Sequence, residues 1–169
     1  MARILGIDPG IRRTGYGVVE SAGAEWRVLA AGLIAPPPAA PLLDRLLEIE
    51  RGVEALIAEW RPESCAVENV FYHQNPQSTL TLGRAQAAAM LGAARRGLPV
   101  TLYSPGEVKQ ALTGGGRAAK QQVRFMVERI LGRRFATAEA DDLTDALAVA
   151  LCHGGRAASP LALLAGKGA

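Results

Sequence analysis

The alternation of apolar and polar positions along the first half of the chain predicts strands followed by a helix. Three apolar stretches, at residues 3–8, 16–20 and 26–34, are separated by Gly-rich or polar turns. Such spacing predicts three β-strands in an antiparallel meander. Apolar residues then recur every three or four positions from Leu43 to Trp60, which is typical of an amphipathic helix that Pro62 ends.

The second half of the chain predicts two more strands and the remaining helices. The strands are predicted at residues 64–70 and 99–103, and the helices at about 78–95, from Ser104-Pro105 onward, and at about 118–131 and 138–153. Strands and helices in this order predict an α/β fold built on one sheet. We expect a single domain over residues 1–155 and a flexible tail at 156–169, which lacks hydrophobic periodicity.

The composition narrows the class of protein. Hydrophobic residues make up 49% of the 169 and aromatic residues only 5%, so the core must consist largely of Ala, Leu and Val, and disorder is excluded for most of the chain. No apolar stretch reaches the length of a membrane span, and the first residues lack the apolar segment of a secretory signal. We therefore expect a cytoplasmic protein in which Cys65 and Cys152 are buried, reduced thiols.

The net charge of +3 conceals a strong asymmetry. Residues 1–83 carry a net charge of −3, residues 84–134 carry +8, and residues 135–169 carry −2. A basic middle segment between acidic flanks favours a surface for a polyanion. Solvated helix faces account for the same charge pattern, so the charge alone does not decide between these two interpretations.

Two acids follow apolar strands. Asp8 ends the first predicted strand, and Glu68 lies in the apolar stretch CAVENV. Ligand sites of open α/β sheets lie just beyond strand ends, and a carboxylate beside a core needs a cation or hydrogen-bond donors to stay charged. Each acid by itself is also consistent with a turn cap or an ion pair, but two of them on separate core strands favour a shared site.

A second acidic segment opens the last predicted helix. Asp142 and Asp145 are three residues apart and so share a helical face, whereas Asp141 is four residues from Asp145 and competes with Asp142 for the same position. Helix capping is an alternative role for Asp141 and Asp142. It explains Asp145 less well, because Asp145 leads directly into the apolar stretch ALAVAL.

Converging carboxylates predict a divalent metal site. Oxygen ligands suit Mg²⁺ or Mn²⁺ better than Zn²⁺, and two such ions can activate water and stabilise the leaving oxygen of a phosphodiester. We expect two ions in each active site, with Asp8 as the bridging ligand because its strand would be central. In this hypothesis Glu68 completes one ion, and Asp142 with Asp145 completes the other.

Three motifs carry a resemblance to a known family. The segments ILGIDPG-x-R-x-TGYGV at 4–18, AVENVF at 66–71 and D-x-x-DALA-x-A at 142–150 resemble the RuvC family of bacterial Holliday-junction resolvases, in order and in register over residues 1–153. The resemblance implies a ribonuclease-H-like fold, a mixed five-stranded sheet with helices on both faces, and a homodimer. It also implies metal-dependent symmetric nicking of four-way DNA junctions, in cooperation with the RuvA–RuvB branch-migration complex.

The resemblance also assigns roles to individual residues. It places the catalytic, metal-binding carboxylates at Asp8, Glu68, Asp142 and Asp145, and Asp141, which adjoins Asp142, is an alternative to Asp142. Phe71 matches an aromatic that stacks on a base at the junction, and Tyr72 follows it in a polar loop. Lys109 and Lys120 match DNA-contacting positions, and Arg117 and Arg124 lie near them in the sequence. The resulting set of expected DNA-binding residues is Phe71, Tyr72, Lys109, Arg117, Lys120 and Arg124.

Three other classes of protein share part of this pattern. A sugar-kinase-like or actin-like phosphate site also begins with D-x-G, but it needs two such domains and a second Gly-rich loop, and neither is present in the sequence. A YqgF-type nuclease shares the first strand but is not expected to carry D-x-x-DALA in this register. A DNA-binding protein without catalysis is the remaining alternative, and the presence of all four acids counts against it.

Overall fold

One five-stranded sheet separates two groups of helices in the computed structural model, which describes residues 1–22, 25–70, 75–136 and 139–157. The strands are β1 (Arg3–Asp8), β2 (Thr14–Ala22), β3 (Glu25–Ile34), β4 (Ser64–Glu68) and β5 (Val100–Tyr103). The helices are α1 (Leu42–Trp60), α2 (Pro76–Arg95), α3 (Pro105–Thr113), α4 (Lys120–Ile130) and α5 (Ala140–Ala157). The α/β class, the number of strands and the element order predicted from the sequence are confirmed.

The strand order is β3-β2-β1-β4-β5. Strands β1, β2 and β3 form the predicted antiparallel meander, whereas β4 pairs parallel to β1 and β5 parallel to β4. The sheet is therefore mixed, and β1 is its central strand, as the hypothesis of a bridging Asp8 required. The register sets Asp8 opposite Gly15 and Ile7 opposite Val67, so that Asp8 and Glu68 end neighbouring strands.

Each face of the sheet is covered by its own set of helices. The core under α3, α4 and α5 includes Ile4 and Ala66, and the core under α1 and α2 includes Leu5 and Val67. Because successive residues of a strand point to opposite faces, Asp8 follows Ile4 and Glu68 follows Ala66 onto the α5 face. Strand alternation thus directs both acids toward the helix that carries the other two.

Glycines allow α5 to lie directly on the backbone of β1 and β2. A Cβ atom on Gly6 would lie inside van der Waals contact with the carbonyl oxygen of Ala146, and a Cβ on Gly15 would come within 2.6 Å of the carbonyl oxygen of Asp142. Both obstacles are backbone atoms, which cannot swing aside as a side chain can. The absence of a side chain at these two positions therefore sets the distance between the helix and the sheet.

The last helix is longer than predicted. The sequence predicted that it ends near residue 153, but α5 continues to Ala157. Gly154 is buried, and a Cβ there would overlap the indole ring of Trp26 and come within 3.0 Å of Ile4 Cδ1. Close packing rather than helix termination accounts for this glycine. The predicted flexible tail remains a prediction, because residues 158–169 lie outside the described residues.

Two further findings bear on sequence-based expectations. Cys65 and Cys152 are free and buried, as expected, and burial raises the pKa of the Cys65 thiol to about 12. Both thiols are therefore protonated and unreactive near neutral pH. Among the described residues, no helix combines the length and the apolar character needed to cross a membrane.

The glycine contact predicts a position-specific loss of stability. We expect Gly6→Ala to lower the free energy of unfolding by about 1–3 kcal/mol, the usual cost of overpacking, because α5 must move away from β1. Thermal unfolding followed by circular dichroism measures the effect. Gly155→Ala is the matched control, since a Cβ at that position of α5 meets open space, and we expect unchanged or slightly raised stability. Equal melting temperatures for Gly6→Ala and the unmodified protein would contradict this account.

Candidate active site

Asp8 and Glu68 form the centre of an acidic cluster at the ends of β1 and β4. Burial, the nearby Glu68 carboxylate with its hydrogen bond to Asp8, and the charges of Asp145 and Asp142 together raise the pKa of Asp8 from its ordinary value of 3.8 to about 8, and burial is the largest cause. Burial also raises the pKa of Glu68, although the hydrogen bond from Asp8 opposes that shift. The two carboxyls therefore share a proton readily and resist being charged together.

Helix α5 brings two more carboxylates to the same place. The charges of Asp145 and Asp142 both raise the pKa of Asp8. The carboxylate of Asp141 lies 3.1 Å from Nη1 of Arg124 and 3.8 Å from Nζ of Lys120, and its charge raises the pKa of Asp145. Of the two neighbouring acids, Asp142 acts more strongly on Asp8, which favours Asp142 as the fourth member of the site.

Lys120 is one of the cations that partly neutralise this cluster, together with Arg13, whose Nη1 lies 4.0 Å from Oδ2 of Asp142. Its Nζ lies 2.8 Å from Oδ2 of Asp145. Burial lowers the pKa of Lys120, but the hydrogen bond to Asp145 and the surrounding carboxylates outweigh burial and raise it. Burial raises the pKa of Asp145 in turn, and Lys120 opposes that shift. The ammonium at the first residue of α4 therefore remains charged and faces the acids.

Two adjoining hollows open onto the acids. One, of about 200 Å³, is lined in part by Glu68, Lys109, Lys120 and Asp145. The other, of about 310 Å³, is lined in part by Asp8, Glu68 and Asn69. Glu68 borders both hollows, so that a bound group reaching it can contact carboxylates on one side and ammonium groups on the other.

Buried hydrogen bonds hold the loop after β1 in position. Thr14 Oγ1 donates to the carbonyl oxygen of Gly10 at 2.9 Å and accepts from the Gly10 N–H at 3.3 Å. Thr14 is fully buried. Gly10 and Thr14 thus close the turn that leads from Asp8 to β2.

Gln86 is a positioning residue that the sequence analysis missed. Its side-chain amide donates to Asn69 Oδ1 at 3.1 Å and to the carbonyl oxygen of Glu68 at 3.5 Å. These contacts link α2 to the end of β4. Gln86 lies in an Ala-rich helix without any motif, and nothing in its sequence context distinguishes it from a solvent-exposed polar residue.

The expected DNA-binding residues separate into three groups. Lys109 and Lys120 border the hollow beside the acids, and Arg117 is exposed in the turn before α4. Arg124 is largely committed within the protein, because it bonds to Glu128, Asp141 and the carbonyl oxygen of Phe135. Phe71 and Tyr72 lie outside the described residues. The DNA-binding roles of all six residues remain predictions.

The donor set of the cluster fits hard divalent cations. All four side chains offer only carboxylate oxygens, and their burial and mutual repulsion, expressed in the raised pKa of Asp8, are relieved by positive charge. Within the described parts of the chain, no three Asp, Glu, His or Cys side chains converge closely enough to ligate one ion as they stand. Asp145 instead pairs with Lys120. Metal binding therefore requires the carboxylates to shift toward one another and Asp145 to exchange its partner.

Comparison with known proteins gives a consistent result. A family model described as crossover junction endodeoxyribonuclease RuvC matches residues 4–153. The RuvC of Alkalilimnicola ehrlichii is 51% identical over 153 residues, which cover 90% of this chain and 91% of that protein. The RuvC of Halorhodospira halophila is 47% identical over 161 residues, 95% of each. Among solved structures, Thermus thermophilus RuvC in complex with a Holliday-junction substrate superposes with a TM-score of 0.86 at 39% identity, covering 93% of this chain and 95% of that one.

The sheet is mixed and five-stranded, and its central strand ends in an acid. Further acids lie on a neighbouring strand and on a helix packed across the sheet. This arrangement defines a nuclease of the ribonuclease-H-like class. Within that class, the family is decided by the family model, which matches nearly the whole described length, and by the sequence identities near 50% to RuvC proteins. The chain belongs to the RuvC family of crossover junction endodeoxyribonucleases.

The raised pKa of Asp8 predicts how stability depends on pH in metal-free protein. Between the ordinary value of 3.8 and about 8 the folded state binds more protons at Asp8 than the unfolded chain, so stability falls as pH rises through this window. Asp8→Asn removes the ionisation. At pH 8 in EDTA, we expect the melting temperature of the variant to exceed that of the unmodified protein by at least about 2–4 °C, which corresponds to a difference of about 1 kcal/mol in the free energy of unfolding. At pH 5 we expect this difference to be smaller.

Divalent metal provides the control for this measurement. Adding Mg²⁺ or Mn²⁺ at pH 8 stabilises the unmodified protein through binding to the folded state, and we expect a smaller rise for Asp8→Asn. A melting temperature that is the same for both proteins at both pH values, with and without metal, would show that the acids do not interact as described.

Proposed function

We propose that the protein is a structure-specific endonuclease that resolves four-way DNA junctions by paired symmetric nicks, in recombination and DNA repair. The observation that supports this most directly is the convergence of four carboxylates from β1, β4 and α5 beside two lysines, in a chain of the RuvC family. The name of the Thermus thermophilus complex describes a Holliday junction as the substrate of that relative.

The carboxylates would hold the metal that the reaction needs. We assign Asp8, Glu68, Asp142 and Asp145 as ligands of Mg²⁺ or Mn²⁺, two ions per site, with Asp8 shared because it ends the central strand and is flanked by the other three. When bound, such ions supply an activated water and stabilise the leaving oxygen of the phosphodiester. The buried setting of Asp8 and Glu68 keeps bulk water from screening these charges.

The lysines beside the acids would position the DNA backbone. Lys109 and Lys120 face the same hollow as Glu68 and Asp145, so a phosphate that enters it meets ammonium groups opposite the carboxylates. Contacts of this kind fix the backbone without reading base sequence. Lys120 also pairs with Asp145, and a phosphate arriving together with metal gives each of them a new partner.

Paired nicks need two active sites related by symmetry, which a homodimer supplies. Helix α2 offers a suitable surface, because Leu80 and Leu91 are 60% and 55% exposed. Their separation of eleven residues places them on one face of the helix. We therefore propose that α2 lies in the dimer interface. Cooperation with the RuvA–RuvB complex and a cytoplasmic location remain predictions that rest on the family resemblance and the composition.

Loss of the carboxylates tests the proposed reaction. A labelled four-way junction and a linear duplex of matched sequence are incubated with the protein in Mg²⁺ or Mn²⁺, and products are mapped on both strands. We expect symmetric nicks confined to the junction. Asp145→Asn and Glu68→Gln should lower the rate by at least about 10²-fold, because each removes charge that stabilises the transition state, and Asp142→Asn should lower it more than Asp141→Asn.

Two controls separate catalysis from binding. Glu139→Gln, an exposed acid just before α5 and outside the cluster, should cleave at the normal rate. Junction affinity of the Asp145 and Glu68 variants, measured without catalysis in EDTA, should stay within about threefold, since binding relies on the basic surface. Tight junction binding by the unmodified protein without any cleavage would instead support the non-catalytic alternative.

A charge placed on the exposed face of α2 tests the proposed interface. We expect Leu80→Glu combined with Leu91→Glu to convert the dimer to a monomer in sedimentation velocity, because two buried carboxylates in an apolar contact cost several kcal/mol. The matched control is Phe125→Glu, an exposed apolar residue on α4, across the sheet from α2. A variant that sediments like the unmodified protein would exclude this face as the interface.

A further inference from the structure

Three arginines near the end of α4 have no acidic partner. Arg129, Arg133 and Arg134 are exposed, and among the described residues none of them lies within ion-pair distance of a carboxylate. Elsewhere in the chain arginines commonly pair with an acid, as Arg95 does with Glu50. We refer to Arg129, Arg133 and Arg134 together as the arginine patch.

The acid closest to the patch is already neutralised. Glu128 accepts hydrogen bonds at Oε1 from the backbone N–H of Phe135 at 3.0 Å and from Nε of Arg124 at 3.3 Å. These donors hold the pKa of Glu128 below its ordinary value. The charge of Arg134 also lowers the pKa of Glu128, but the ion pair of Glu128 is with Arg124, so most of the positive charge of the arginine patch remains uncompensated.

The arginine patch borders a concave surface rather than a flat or convex one. The hollow has a volume of about 650 Å³, and Phe125, 59% exposed, lies at its margin. The guanidinium of Arg133 lies 5.5 Å from the centre of the Phe135 ring. A guanidinium held over an aromatic ring loses less side-chain freedom when it binds a ligand than one that moves freely in water.

A continuous basic path joins the patch to the acidic cluster. Lys120 borders the hollow that contains Glu68 and Asp145. Lys120 and Arg124, one helical turn apart, both border the next hollow along α4, and Arg124 also borders the hollow of the arginine patch. The path follows the eleven residues of α4, a length of about 16 Å, which is several nucleotides along a DNA backbone.

We propose that the arginine patch binds backbone phosphates of one duplex arm of the junction, several nucleotides from the phosphodiester that is cut. This inference rests on the proposed function and extends it from the site of cleavage to the arm. Guanidinium groups suit the task because they hold phosphate oxygens through two parallel hydrogen bonds. Such contacts carry no base specificity, in keeping with a role in placing the arm.

Continuity with the acidic cluster favours DNA over an acidic protein partner. A phosphodiester strand bound at the carboxylates must continue in one direction or the other, and α4 leads from Lys120 beside the carboxylates to the arginine patch near its end. A surface for an acidic protein would not need to join the hollow that holds Glu68 and Asp145.

The test compares junctions with long arms and with arms cut back close to the crossover. For the double variant Arg133→Gln, Arg134→Gln we expect junction affinity to fall about tenfold near physiological salt. The slope of log K against log salt should decrease in magnitude by about 1–2, the value for one or two lost phosphate contacts. The loss should be present with long arms and absent with short arms.

The matched control is Arg51→Gln, Arg61→Gln, which removes the same charge from exposed positions on and just after α1, across the sheet from the patch. We expect it to leave the salt slope unchanged, and thermal unfolding verifies that both variants are folded. Unchanged affinity and slope for the Arg133, Arg134 variant would overturn the inference, as would an equal loss on short arms. The unmodified protein is assayed for junction cleavage in parallel. If it makes no symmetric nicks, the proposed function fails, and this result is distinct from a failure of the arginine-patch inference.

Discussion

The direct contact between α5 and the backbone of β1 and β2 is the constraint on which the site depends. Gly6 and Gly15 leave no side chain between helix and sheet, so the carbonyl oxygens of Ala146 and Asp142 lie against the strands. At the normal distance between a helix and a sheet, the acids of α5 would stand further from Asp8. The glycines that the motif ILGIDPG and the stretch TGYGV contain are therefore part of the chemistry, although none of them carries a functional group.

This closeness has an electrostatic cost. Burial and the neighbouring acids raise the pKa of Asp8 to about 8, and Lys120 offsets only part of the repulsion through Asp145. A protein selected for stability alone would not place four carboxylates together, which is the usual sign of a functional site. The excess of negative charge in the cluster favours the binding of divalent cations. The basic residues along α4 are placed to contact the phosphates of the same DNA strand.

Most elements follow from local pattern. Apolar stretches predicted the strands, because a sheet covered on both faces requires apolar residues throughout its central strands, and helical periodicity or a capping signal predicted the helices. The end of the last helix was predicted wrongly, because packing overrides local preference there. Helix α5 continues past residue 153, and Gly154 within it allows Trp26 to pack against the helix. Trp26 lies in β3, too far away in the sequence for a local pattern to reveal the contact.

The sequence by itself indicated the fold class, the family, and Asp8, Glu68 and Asp145 as candidate site residues, because strand ends, helical spacing and motif register are properties of short segments. It left Asp141 and Asp142 as rivals, since both begin the same helix. Only the tertiary structure distinguishes their surroundings: the charge of Asp142 acts on Asp8, whereas Asp141 lies beside Lys120 and Arg124. Likewise, only the tertiary structure identified Gln86 and the arginine patch. Gln86 matters because it bonds to Glu68 and Asn69 at the end of β4, and the arginine patch because its members form no ion pair among the described residues.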